Sequence, residues 1–175
     1  MYNFCGIDPG INGAIAILDF QKHLMHLWDT PVTLTHTGDK IRKRVDPKGA
    51  ADALCTFPID KALIEKVHST PNDGHVGAFT FGKATGLMIG LLEGLDIPWW
   101  EVSPGKWKKD LRVPSDKELS KDRASQLFPH CVNAWKLKKD HDRSEAALIA
   151  LYAALAENVE ITAPFQIGTI NGRTI

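Results

Sequence analysis

The sequence predicts an α/β domain with a mixed sheet of five strands flanked by helices. Two observations carry this expectation. Short apolar runs of strand length are interleaved with longer segments of helical period, in the order β-β-β-α-β-α-β-α-α. The 175 residues, 43% of them hydrophobic, suffice for one core without disulfides or a structural metal.

Taken in order, Phe4 to Phe20 reads as two strands around a turn at Pro9-Gly10-Ile11-Asn12-Gly13, with Asp8 at the base of the hairpin. His23 to Asp29 supplies a third strand, and Thr33 to Val45 is a polar, basic excursion with a turn at Thr37-Gly38-Asp39. Asp46-Pro47 gives an N-cap and a first-turn proline for a helix through Cys55. Lys61 to Val67 is a short buried-type strand carrying Glu65, and His68 to Val76 is dense in turn formers and reads as an exposed loop. Gly77 to Leu95 fits a helix with small residues on one side. Trp99 to Val102 is the fifth strand, Ser115-x-x-Glu118 a capping box for a helix to about Leu127, and Asp142 to Leu155 the last long helix. After Glu157 the tail is polar and expected to be loosely held, which divides the chain into a domain over 1–157 and a tail over 158–175.

The net charge is zero, with 21 Lys and Arg against 21 Asp and Glu, but the charges are unevenly placed. Between Pro104 and Lys139 ten basic residues face four acids, so the rest of the chain is acidic by the same surplus of six. One basic stretch beside gathered acids suits a protein that grips a polyanion and holds divalent cations next to it; scatter over solvated faces gives the same numbers. Cys5, Cys55 and Cys131 form no C-x-x-C pair, and a reducing cytoplasm is the expected setting. The longest apolar stretch, Gly86 to Leu95, contains Glu93 and is too short to span a bilayer, so no membrane partner is expected.

Asp8, Glu65, Asp142 and Glu145 stand at strand ends or at a helix start, where they could converge on one edge of a sheet. Asp142 and Glu145 are three apart and share a helix face. Four carboxylates repel one another, and two hard divalent ions with oxygen ligands relieve that cost. Such a pair of ions activates a water and stabilises the leaving oxygen in phosphodiester cleavage. Each acid has an innocent reading as well. Asp8-Pro9-Gly10 is a common turn, and Asp142 to Glu145 fits a capping box. Glu65 is harder to dismiss, because a carboxylate in a buried strand needs a partner.

Gly6-Ile7-Asp8-Pro9-Gly10, Leu63-Ile64-Glu65-Lys66-Val67 and Asp142-Arg143-Ser144-Glu145 through Leu151 resemble the three acidic motifs of the RuvC family of Holliday junction resolvases. The resemblance runs from Phe4 to about Leu155, and Val102 to Lys109 resembles the basic segment of phage and other divergent members. It implies an RNase H-like fold and a homodimer that cuts opposed strands of a four-way DNA junction by paired symmetric nicks, each subunit using two Mg²⁺ or Mn²⁺ ions. Asp8, Glu65, Asp142 and Glu145 would be the metal ligands. Glu145 departs from the family, which commonly has Asp there, and metal spacing or preference could differ accordingly.

By the same resemblance Lys108 aligns with a lysine beside the scissile phosphate and Lys121 with a second. Lys106, Lys109, Arg112 and Lys117 are equally readable as backbone contacts or as solvated surface, and His68 as a base-stacking residue or an exposed loop histidine. The cluster Lys40 to Arg44 could reach a second DNA arm. Trp99 and Trp100 are expected in the core or a dimer contact, Trp107 is left open, and His141 could relay a proton or ligate a metal. Competing functions are a broader nuclease of flaps and branched DNA on the same fold, or a junction-binding protein with a weakened site. A bacterial or phage-infected cytoplasm is the expected location.

Overall fold

A computed structural model describes residues 2–38, 40–68 and 74–174. The central strands are β1 (Asn3–Asp8), β2 (Ala14–Asp19) and β3 (Leu24–Asp29), an antiparallel meander. On the other side of β1 the strands β6 (Lys61–Glu65) and β7 (Trp99–Val102) join in parallel. These five strands are the expected mixed sheet. Beyond β3 the chain adds β8 (Gln166–Ile170), parallel to β3, and β9 (Arg173–Thr174), so the sheet has seven strands in the order β7-β6-β1-β2-β3-β8-β9. The strands β4 (Val32–Thr37) and β5 (Lys40–Val45) form a separate two-stranded ribbon where the basic excursion was expected; Asp39, in the expected turn, lies outside the described residues.

The C-terminal segment is therefore not a loose tail. Phe165 is buried against Phe20 and Phe128, and Gly168 lets β8 lie close to the ring of His26, which a side chain at that position would strike. Its polar composition concealed this because an edge strand buries only a few residues.

Helices cover both faces. One core holds α1 (Pro47–Cys55) and α2 (His75–Gly94) against Cys5, Ile7, Ala62 and Ile64. The other holds α4 (Lys117–Leu127) and α5 (His141–Ala156) against Phe4, Leu18 and Leu63. Asp46 caps α1 as its position predicts, its side chain accepting from the Lys48 amide. In α4 the cap is Asp116 rather than Ser115: its carboxylate accepts from the amides of Glu118 and Leu119. A short helix not expected from the sequence, α3 (Pro104–Asp110), follows β7. Pro104 in its first turn after Ser103 was the available signal. The loop expected over 68–76 falls partly outside the described residues, at 69–73, and its last two positions belong to α2. Among the described residues no helix is long and apolar enough to cross a membrane.

Candidate active site

The two-residue alternation of a strand decides which face each side chain meets. In β1, Cys5 and Ile7 face α1 and α2 while Phe4 faces α5, so Asp8 shares the α5 side. In β6, Ala62 and Ile64 face α1 and α2 while Leu63 faces α5, so Glu65 takes the α5 side too. Ile7 pairs with Ile64 in parallel register, which makes Asp8 and Glu65 neighbours at the carboxyl ends of adjacent strands. Gly6 brings the helix down onto them: a side chain there would run into the backbone of Ala146 and Ala150. The alanine-rich α5 is correspondingly buried along almost its whole length.

Asp142 and Glu145 occupy the first turns of α5. Asp140 holds the N-cap position, without a side-chain bond to the helix, so Asp142 and Glu145 are not the N-cap and N3 of a capping box. Burial, then the charges of Glu145, Glu65 and Asp142, hold the Asp8 carboxyl well above its usual range, and Lys108 only partly opposes them. Burial also raises Glu65, an effect that its hydrogen bond from Trp107 opposes. The four acids are thus close enough to share one electrostatic problem.

Lys108 meets that problem in part. Its ammonium lies 2.6 Å from Glu145 Oε1 and over the Trp107 ring. Trp107, left open by the sequence, is fully buried, and its indole Nε1 donates to Glu65 Oε1 at 2.8 Å. The alternation of lysines around it masked a core residue: α3 turns Trp107 inward, with Lys108 half-buried against the site and Lys106 and Lys109 exposed. His141 is also buried. Its Nδ1 is 3.3 Å from Asp142 Oδ1 and its Nε2 3.6 Å from Glu145 Oε1, the latter too long for a hydrogen bond. Arg143, on the opposite side of the same turn, clamps both carboxylate oxygens of Asp29 at 2.6 Å and donates to the Ala134 carbonyl.

The remaining basic residues divide. Asp8, Asp142 and Glu145 line an open cleft of about 260 Å³ with Lys117, His141 and Phe81. A larger groove of about 540 Å³ shares Asp142 and Lys117 with it and is bordered by Lys43, Lys138 and Lys139. Lys121 lines neither; it pairs with Glu118 at 3.1 Å. Lys106 is spent on Asp110, and Lys109 in the last turn of α3 and Arg112 just after it are exposed. His68 is exposed, and its charge acts on Glu65.

The donor set, all oxygens, is the kind that hard divalent cations take. Among the described residues no three acidic, histidine or cysteine groups close into a ready cage. Asp8 raised by three like charges is nonetheless the signature that a cation would relieve. The residues fit such an ion in chemistry and charge.

No protein-family profile matches the chain. Over 157 residues it is 29% identical to the chloroplastic Holliday junction resolvase MOC1 of Chlamydomonas reinhardtii, a match covering 77% of this chain and 18% of that protein. The chain thus spans less than a fifth of that relative's length. Among solved structures, Thermus thermophilus RuvC in complex with a Holliday junction substrate matches with a TM-score of 0.58 at 14% identity, over 89% of this chain and 96% of that one. The fowlpox virus Holliday junction resolvase matches with a TM-score of 0.50 at 17% identity, over 89% and 99%. The fold is that of the RuvC resolvases. In this fold the parallel neighbours β1 and β6 and the last helix carry the four acids.

Proposed function

We propose that the chain is a metal-dependent endonuclease that resolves four-way DNA junctions by paired symmetric nicks. The observation that carries this reading is the meeting of Asp8, Glu65, Asp142 and Glu145 beside Lys108 on a RuvC fold. The similarity to a protein named as a Holliday junction resolvase supports it. Asp8, Glu65, Asp142 and Glu145 would hold two Mg²⁺ or Mn²⁺ ions. Such ions supply an activated water and stabilise the leaving oxygen of a phosphodiester.

The chain's own residues do the rest. Trp107 fixes the Glu65 carboxylate through one oxygen and leaves the other for an ion. Lys108 sits where the charge of a scissile phosphate must be balanced, and Lys117 stands on the rim of the same cleft. Lys43, Lys138 and Lys139 border the groove that leads away from Asp142, a route for the DNA backbone. His68, Lys106, Lys109 and Arg112 are exposed and are assigned to duplex arms, as is Lys121, whose side chain is mostly buried at its pair with Glu118. The domain in this reading extends through the C-terminal strands, because Phe165 belongs to the core.

A homodimer is part of the proposal. The outer side of α2 carries exposed Val76 and Phe79 and continues through Gly82, Gly86 and Gly90, around which the space is open. A helix seam of this kind accepts the same helix of a second copy. The proposed setting is a bacterial or phage-infected cytoplasm, which the three free thiols suit. A second reading, a junction-binding protein with weakened cleavage, draws on the tight hold of Lys108 on Glu145.

The test is cleavage of labelled four-way, flap and linear duplex DNA with Mg²⁺, Mn²⁺ or EDTA, by the native chain and Asp8→Asn. Symmetric nicks in the junction alone, lost with EDTA or in the variant, bear out the resolvase. Equal cutting of flaps makes it a broader branch nuclease. Tight junction binding without cutting in either metal leaves the weakened binding protein.

A further inference from the structure

We infer that the β4–β5 ribbon is a phosphate-gripping arm for duplex DNA, with one of its two faces specialised for the backbone. The inference deepens the proposed function and rests on its claim that this protein binds DNA. Cross-strand partners in an antiparallel ribbon share a face. The register places Thr33 opposite Arg44 and Thr35 opposite Arg42, with Lys40 next on the same face. The other face carries Val32, Leu34, His36, Ile41, Lys43 and Val45. The sorting is sharp: three of the ribbon's four cations and two hydroxyls fall on one side.

Lys40, Arg42 and Arg44 are exposed, and among the described residues none of them forms an ion pair. Some surface lysines elsewhere are paired, Lys48 with Asp52, Lys61 with Glu157 and Lys106 with Asp110, while Lys83 and Lys109, like the ribbon's cations, are in no ion pair among the described residues. Arg44 also borders a small hollow of about 210 Å³ with Thr80 and Lys83 of α2, and no acid lines it. The field of this face is therefore positive and unopposed.

A ribbon exposed on both sides gains little from packing, and isolated hairpins are marginal. A polyanion supplies the missing contact. Alternate residues of a strand stand about 7 Å apart, so the three cations span about 14 Å. One strand of duplex DNA presents about four phosphates over that rise. Arginine and threonine side chains are the usual donors to phosphate oxygens. On the opposite face Lys43 borders the groove that runs to Asp142, so the arm adjoins the candidate active site.

The test compares the native chain with the triple variant Lys40→Gln, Arg42→Gln, Arg44→Gln, in binding to both a four-way junction and a linear duplex over a salt series. Each lost phosphate contact lowers the slope of log affinity against log salt by about 0.9. Three contacts correspond to about a 40-fold smaller loss of affinity for the variant between about 50 and 200 mM salt. Arg42→Lys, which keeps the charge, should keep the native slope. An unchanged slope in the triple variant on both DNAs overturns the arm, whatever the native chain cuts. A lowered slope in a protein with no preference for junctions upholds the arm and sinks the junction reading instead. A variant effect that depends on base sequence overturns a backbone grip in favour of groove reading.

Discussion

Replacing Trp107 by Phe isolates one bond. The ring stays apolar and nearly fills the same buried space, while the Nε1–H that donates to Glu65 Oε1 at 2.8 Å is lost. A hydrogen bond to a charged group contributes about 1.5–3 kcal/mol. If Glu65 must be held by Trp107 to serve the reaction, a deficit of that size in the transition state slows cleavage about 10- to 150-fold. The sign of the pH effect is fixed as well. Burial raises the Glu65 carboxyl and the Trp107 bond lowers it, so removing the bond lets it rise further. Cleavage that needs the carboxylate ionised then fails at a higher pH on the acid side in the variant than in the native chain. The assay is single-turnover junction cleavage over a pH series with saturating metal, beside thermal melts of both proteins. A variant less stable but cutting at the native rate with an unmoved acid limb would refute the positioning role and leave Trp107 a core residue.

Three further outcomes are expected. The Asp8 carboxyl is raised in the fold, so the stability it contributes is present below its ordinary range near pH 3.8 and lost as pH rises through the raised value. Metal-free protein should therefore weaken on the alkaline side of that raised value. In EDTA there, Asp8→Asn should melt about 2–12 °C higher, from about 1–3 kcal/mol of relieved burial; a lower melting temperature counts against the clustered site. Removing 158–175 takes Phe165, β8 and the Asn171 side chain that bonds Asp29, the carboxylate clamped by Arg143. The truncated chain should lose cooperative melting by calorimetry, and a native-like melt would show the segment to be dispensable. Burial pushes the Cys131 thiol up to about 12 and Cys5 higher, while Cys55 is exposed. A thiol-reactive dye should label one cysteine in the native protein and all three in denaturant, and fast labelling of two would contradict the packing.

The parts of this fold legible in the sequence are those where period and chemistry agree. The β1–β2 hairpin, the Asp46 cap and the long last helix follow from local pattern alone. The C-terminal strand was not legible, because Gln166 to Ile170 becomes a strand by lying along β3, a partner about 140 residues away in sequence. Trp107 stayed open for a similar reason: three lysines within two residues of it outweighed the proline that starts α3. Lys121, matched to the family by resemblance, pairs with Glu118, while Lys117, one turn earlier on α4, is the lysine lining the acid cleft.

The acids themselves show why pieces that are weak singly become specific together. Asp8 in a turn and Asp142 before Glu145 are each satisfied by an ordinary local structure. Those local readings make a joint demand that the structure does not meet, because Asp140 and not Asp142 stands at the N-cap position of α5, and Asp142 and Glu145 lie inside the helix facing the site. Gly6 then admits the helix onto β1 where Asp8 is largely buried at the floor of the cleft. Without a reaction to serve, such packing only adds repulsion, and a neutral residue at Asp8 or Glu145 would fold better. Glu145, longer than the aspartate common in the family, reaches the Lys108 ammonium and stays buried beside Asp8 and Glu65. The added methylene has therefore not withdrawn the charge from the cluster. What it changes is the partner that must let go, since a cation binding Glu145 has to displace or share Lys108.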